Sequence, residues 1–157
     1  MVSRMQRVIC RTDSIVHFLG GLAINASADE NLAWSSSETR ARGILRELTI
    51  RSVQNLAWEL QLYGKATFGG PGLADSFENK VVFTAAEGSQ NDGAGAFRYH
   101  RVIDNGTLYD QTDVDQPQTP GTKKKAQVHL KLINRGVGAK AAGVPGGIEI
   151  EMIFETP

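Results

Sequence analysis

The sequence predicts an all-β domain, an antiparallel β-sandwich or jelly roll with little helix. Residues 148–155, Ile-Glu-Ile-Glu-Met-Ile-Phe-Glu, alternate apolar and acidic side chains. A strand turns successive side chains to opposite faces, so Ile148, Ile150, Met152 and Phe154 fall on one face and Glu149, Glu151 and Glu155 on the other. The same period returns in 56–63, where Leu56, Trp58, Leu60 and Leu62 share a face, and in 126–133, where Ala126, Val128, Leu130 and Leu132 alternate with Gln127, His129, Lys131 and Ile133. Gly-, Pro- and Asn-rich stretches separate these runs. About seven to nine short strands punctuated in this way favour a sandwich or jelly roll, with a barrel as second choice.

In chain order, residues 7–11 and 14–19 are β-branched or apolar runs parted by Thr12-Asp13, a turn or bulge pair. Gly20-Gly21 breaks the chain before a short strand at 22–25. Residues 28–42 are ambiguous: Ser35, Ser36 and Ser37 offer N-caps for a short helix over 38–46, but Gly43 inside that window costs about 1 kcal/mol, so a loop or frayed turn stands beside it. Alternation resumes over 48–53 and again over 56–63, where Trp58 reads as a core anchor. Gly69-Gly70-Pro71-Gly72 reads as an exposed loop. A strand over 80–85 follows, then a second Gly-rich polar loop over 87–95.

Residues 97–103 and 107–111 flank Asp104-Asn105-Gly106, and Asn-Gly between two strand runs predicts a β-hairpin. An acidic, Pro-containing stretch, 112–122, reads as a solvated loop leading to Lys123-Lys124-Lys125. If the last two strands pair antiparallel, His129 and Lys131 would face Glu149 and Glu151 on the solvent side for about a few tenths to 1 kcal/mol per pair. Between them, residues 134–147 are mostly Gly and Ala, with Arg135 and Lys140 as their only charges. This segment is too long for a tight hairpin and reads as a flexible, surface-docking arm. Arg135, Lys140, Val144 and Pro145 within it, with Pro71 and Trp34 elsewhere, are the interaction candidates. The free edge of the final strand suits docking too. No repeat of fixed period and no linker divides residues 1–157, so one domain is expected.

A chain of 157 residues can bury roughly two-thirds of its unfolded surface. Lys+Arg and Asp+Glu are both 17, so the formal net charge is zero. Bulk charge therefore drives it toward neither nucleic acid nor an anionic membrane, and self-repulsion does not oppose assembly. Cys10 is the single cysteine, which forbids an intrachain disulfide and implies a reducing compartment. Its setting in Val8-Ile9-Cys10 reads as a strand interior rather than a nucleophile site. No apolar run reaches the length of a signal peptide core or of a span of about 20 residues. A soluble, cytosolically made protein is expected, in which Asn25-Ala26-Ser27 and Asn105-Gly106-Thr107 are chance sequons.

Chemistry is weakly signalled. His17, His100 and His129 are far apart and embedded in strand patterns, without zinc-ligand spacing. Asp110, Asp113 and Asp115, with Gln111 and Gln116, offer oxygen ligands but lack the Gly and terminal Glu of a calcium loop, so a solvated acidic loop is the preferred reading. Neither Gly-rich stretch has the Lys-Ser/Thr of a phosphate loop, and no Gly-x-Ser-x-Gly elbow occurs. Glu59, Glu149, Glu151 and Asp110 could pair as hydrolytic carboxylates, yet alternating strand acids are ordinarily a sheet's wet face. No catalytic, cofactor-binding or metal-ligating residue is assigned, and an enzyme is not expected. Lys123 to Lys125 lack the stacking aromatics of single-strand binders, so no nucleic-acid partner is expected. Trp34, beside Asn31 and Ser35, is the one carbohydrate-like feature, against a core or interface tryptophan.

The run Val128-His129-Leu130-Lys131-Leu132-Ile133-Asn134-Arg135, the Gly/Ala segment after it and residues 148–155 resemble small structural proteins of tailed-bacteriophage virions. The likeness extends in texture to 47–63 and 106–110. It implies a catalytically silent, disulfide-free homo-oligomer that decorates or cements a capsid. Its partners would be copies of itself and other virion proteins such as a major capsid protein, with no cofactor and no membrane. Contacts are expected through 1–6, 69–72 and 134–147. A tail, neck or baseplate component is the alternative within the class. From another class, a carbohydrate-binding module would use Trp34 and residues 110–115.

Overall fold

The computed structural model describes residues 8–11, 16–33, 42–63, 77–90, 95–104, 108–110, 127–143 and 146–156. Its strands are β1 (Val8–Arg11), β2 (Val16–His17), β3 (Ser27–Ala33), β4 (Arg42–Ser52), β5 (Trp58–Tyr63), β6 (Phe77–Phe83), β7 (Ser89–Gln90), β8 (Phe97–Val102), β9 (Leu108–Asp110), β10 (Gln127–Asn134) and β11 (Ile148–Thr156). One 3-10 turn, Ala85–Glu87, precedes β7. The larger sheet runs β1-β11-β4-β8-β7, with β2 continuing β1 along β11 and β9 continuing β8 along β4; the smaller runs β3-β10-β5-β6. Every pairing is antiparallel. The pairs nest, with β1 on β11, β3 on β10, β4 on β8 and β5 on β6. A long antiparallel ribbon is thus rolled until β11 meets β4 and β10 meets β5, which is the winding of a jelly roll.

The core lies between the sheets. Ile148, Ile150, Met152 and Phe154 of β11 are fully buried, as are Leu48, Ile50, Trp58, Leu60, Phe83, Tyr99, Leu130 and Leu132. The expected shared faces of 148–155 and 56–63 therefore hold, and Trp58 is a core anchor. Phe83 and Tyr99 meet edge to face across the sheets at 5.9 Å between ring centroids. In β4 the register slips between Ile153 and Phe154 of its partner, leaving Arg46 as the extra residue. This bulge lets Leu45 point inward in phase with Leu48, while Arg46 meets Glu155 at 2.7 Å. Polar contacts close both open edges. His17 on β2 reaches Glu30 on β3 at 2.9 Å. Arg101 on β8 donates to the Val82 carbonyl on β6 at 2.7 Å and lies over the Phe83 ring.

Several expectations are corrected. β8 and β9 do not form a hairpin; both pair with β4, Phe97 to Val102 against Ser52 to Glu47 and Leu108 to Asp110 against Ile44 to Arg42. A strand of 11 residues offers a continuous edge, and Ile103 still donates to the Arg46 carbonyl at 2.8 Å. Asn-Gly permits a reversal, but it does not compel one where the strand can keep its partner. The last two strands do not pair either: β10 belongs to the smaller sheet and β11 to the larger. Glu149 instead lies across from Arg51, 3.7 Å away. Nor is β11 an edge, since β1 and β2 cover one side of it and β4 the other. The strand expected at 22–25 reduces to one bridge, Leu22 to Lys140, and a turn with Asn25 at φ 61. Residues 27–33 and 42–46 are strand, which replaces the helix reading from Arg42 onward.

The register gives the sandwich two poles. At one, the connections 18–26, 53–57, 84–96 and 134–147 join the strand ends His17, Ser27, Ser52, Trp58, Phe83, Phe97, Asn134 and Ile148. At the other lie Val8, Ala33, Arg42, Tyr63, Phe77, Asp110, Gln127 and Thr156.

Candidate functional site

The first pole is held together by Asn134, the last residue of β10. Its amide donates to the carbonyls of Leu22 (3.0 Å) and Gly138 (2.8 Å), and its Oδ1 accepts from the Gly136 N–H at 2.9 Å. Its backbone pairs with Ala26 and Asn25. All its polar groups are thereby spent, as a fully buried amide requires. Gly136 is needed here because a Cβ would lie 2.9 Å from Leu56 Cδ2. The turn 134–138 is fixed from within and from below.

The expected flexible arm is therefore corrected. Residues 139–143 lie back on the body, with Lys140 and Leu22 exchanging backbone hydrogen bonds at 2.8 and 3.1 Å and Gly143 donating to Leu19 at 2.8 Å. Gln54 clamps the other side, donating to the Ala139 carbonyl (3.4 Å) and accepting from the Ala141 N–H (2.8 Å). Lys140, expected as a displayed charge, is 2 % exposed and donates to the Gly20 (2.6 Å) and Ala141 (3.1 Å) carbonyls. Burial holds its pKa below the ordinary lysine value, against the opposing pull of Glu30. Carbonyl oxygens solvate this ammonium where water cannot, so it cannot serve as a contact charge.

Arg135 is exposed, but its charge is engaged: Nε donates to Glu59 at 2.9 Å and Nη1 to Asn25 at 3.0 Å. Burial pushes the Glu59 carboxyl up, yet hydrogen bonds from Gln61 and Arg135 with the Arg135 and Lys80 charges outweigh it and leave its pKa below the usual value. Lys140 and Arg135 are the only charged residues of 18–26, 53–57 and 134–147. The side chains displayed among them are aliphatic. Val137 is 98 % exposed at the tip of the clasped turn, and Leu19, Ile24 and Val53 are each 47–48 % exposed. These four were missed from sequence: Val137 and Ile24 are marked by their setting among Gly, Ala and Asn, whereas Leu19 and Val53 end runs that read as strand and carry no separate signal.

The remaining candidates are not gathered here. Trp34, Pro71, Val144 and Pro145 lie outside the described residues, as do Asp113 and Asp115. The strand ends that flank 34–41 and 64–76, namely Ala33, Arg42, Tyr63 and Phe77, stand at the opposite pole, where Asp110 also ends β9, whereas 134–143 belongs to this one. On the outer face of the larger sheet a shallow groove is lined by Thr49, Arg51, Arg98, Glu149, Ile150 and Glu151. Its charges are mixed, and Glu47 and His100 add another pair at 3.1 Å on the same sheet. Among the described residues no cluster of three His, Cys, Asp or Glu side chains could hold a metal. No protein family, curated protein or solved structure matches the chain.

Proposed function

We propose that the chain is a structural virion protein, a jelly-roll subunit that decorates or cements a phage capsid through contacts with its own copies and with the shell. The observation that carries this reading is the set of aliphatic side chains displayed on three of the four connections at the first pole, the fourth, 84–96, being the one that carries acids, Glu87 and Asp92. Leu19, Ile24, Val53 and Val137 are displayed on loops whose two charges are engaged within the fold, a surface better suited to another protein than to water. Displayed aliphatic side chains fit protein contact rather than the aromatic stacking by which sugars are held. The nested two-sheet winding supports the same reading, since jelly rolls recur in viral shells. Such a protein is made in the host cytoplasm and ends in the particle.

The test is compositional. Particles from a lysate of the source are banded on a density gradient, and their proteins are quantified by mass spectrometry. Recovery of the chain in the particle band at a fixed ratio to the major shell protein is expected. Recovery only in the soluble fraction overturns the proposal.

A further inference from the structure

We propose that the groove on the outer face of the larger sheet binds the head group of an α-amino acid, its carboxylate on Arg51 and Arg98 and its ammonium on Glu149 and Glu151. This goes beyond the structural-protein reading and stands independently of it.

The strand register sets the layout. Glu149, Arg51 and Arg98 lie in one row across β11, β4 and β8, and Glu151 and Thr49 follow in the next row, all five lining the groove. Two arginines therefore stand directly opposite each other on neighbouring strands, which repels unless an anion lies between them. The nearest carboxylate supplies one only loosely, since Glu149 approaches Arg51 no closer than 3.7 Å, beyond hydrogen-bond length. Arg98 has its Nε–H buried and, among the described residues, without a hydrogen-bond partner. A guanidinium cut off from water in this way gains more from an oxyanion than an exposed one does. Neighbouring charged groups on the same sheet are engaged elsewhere, Glu47 with His100 at 3.1 Å and Arg46 with Glu155 at 2.7 Å.

The two signs together select the ligand. A simple oxyanion on the arginines would face Glu149 and Glu151 one strand away, about 4.8 Å. A divalent cation on the glutamates would face the arginines at the same range. A dipolar ion satisfies both sides, and because the sign changes between adjacent strands its two charges must lie close together, as they do on an α-amino acid. A primary ammonium has three N–H donors to share between two carboxylates. A quaternary ammonium is held instead by aromatic faces, and no described aromatic residue lines the groove. The groove holds about 50 Å³, which at about 10–15 Å³ for each water-sized group admits about four of them. That is room for the head group, with the ligand's own side chain left in solvent. Lysine and glutamate side chains of a protein partner would bring the same charges on two separate stems, more than this space admits.

The test is a titration of the full, isotope-labelled chain with L-alanine, followed by NMR amide shifts. Saturable shifts centred on 49–51, 98 and 149–151 are expected. N-acetyl-L-alanine, which lacks the ammonium, and L-alaninamide, which lacks the carboxylate, should each bind about tenfold or more weakly, the loss that goes with one charged partner. Arg98→Met should weaken alanine binding to a similar extent, and so should Glu149→Gln combined with Glu151→Gln. All three side chains lie on the outer face, so the parent's thermal melt should be kept; if Arg98→Met lowers it, the glutamine variant decides. Glu47→Gln, on the same sheet but outside the groove, should leave binding unchanged. Absence of saturable shifts into the millimolar range overturns the proposal. So does binding of N-acetyl-L-alanine or inorganic phosphate as tight as that of alanine, which would make the groove a plain anion site, or alanine binding that the glutamine variant leaves unchanged.

Discussion

Asn134 concentrates more of the fold's polar organisation than any other single side chain described above. Truncation to alanine leaves the carbonyl of Gly138 and the buried N–H of Gly136 without partners and the Leu22 carbonyl with the Lys140 N–H alone. Asn134→Ala is expected to cost about 2–4 kcal/mol, measured by urea unfolding, and Asn134→Asp more, because a carboxylate would face two carbonyl oxygens. Glu59 gives a pH test. Its folded pKa lies below its ordinary value of 4.5, so its contribution is present above that value and is lost as pH falls through the folded pKa. Glu59→Gln should lower stability at neutral pH and flatten the acid limb of a stability-against-pH curve. An unchanged acid limb would show that Arg135 does not favour the charged form.

β11 is the most informative element, because its alternation was legible while its neighbours were not. A period of two tells which side chains face the core, and Ile148, Ile150, Met152 and Phe154 obey it. It does not tell which strand lies alongside, since pairing partners are set by contacts across the whole chain. That is why β10 was expected beside β11 and is found in the other sheet, and why Asn105-Gly106 suggested a reversal between two strands that both follow β4. The bulge at Arg46 was likewise invisible, because Leu45 and Leu48 are out of phase on any regular strand. Ile150→Ala should cost about 2–5 kcal/mol, as for other aliphatic truncations at closed sites. Amide exchange should be slowest in β11 and β4, paired on both sides, and faster in β3 and β6 at the edges of the smaller sheet. Equal protection of β3 and β11 would contradict this topology.

At the scale of the molecule, the nested winding joins residues distant in sequence, the outermost pair being Val8 and Thr156. Long-range closure of this kind slows folding, so refolding from urea should take milliseconds to seconds or longer, with no sub-millisecond native signal by tryptophan fluorescence. The fold class was legible in the alternation and in the Gly- and Asn-rich breaks. The proposed contact surface was legible only in part. The 134–147 segment was identified, but as a loose arm bearing two charges, because no local pattern reveals that Asn134 and Gln54 clamp it or that Lys140 turns inward. The two poles also make the chain a directional scaffold. A peptide or fluorophore inserted within 64–76 would emerge between Tyr63 and Phe77, a strand's length from Val137. Cargo could thus be carried outward while the opposite end remained free to engage.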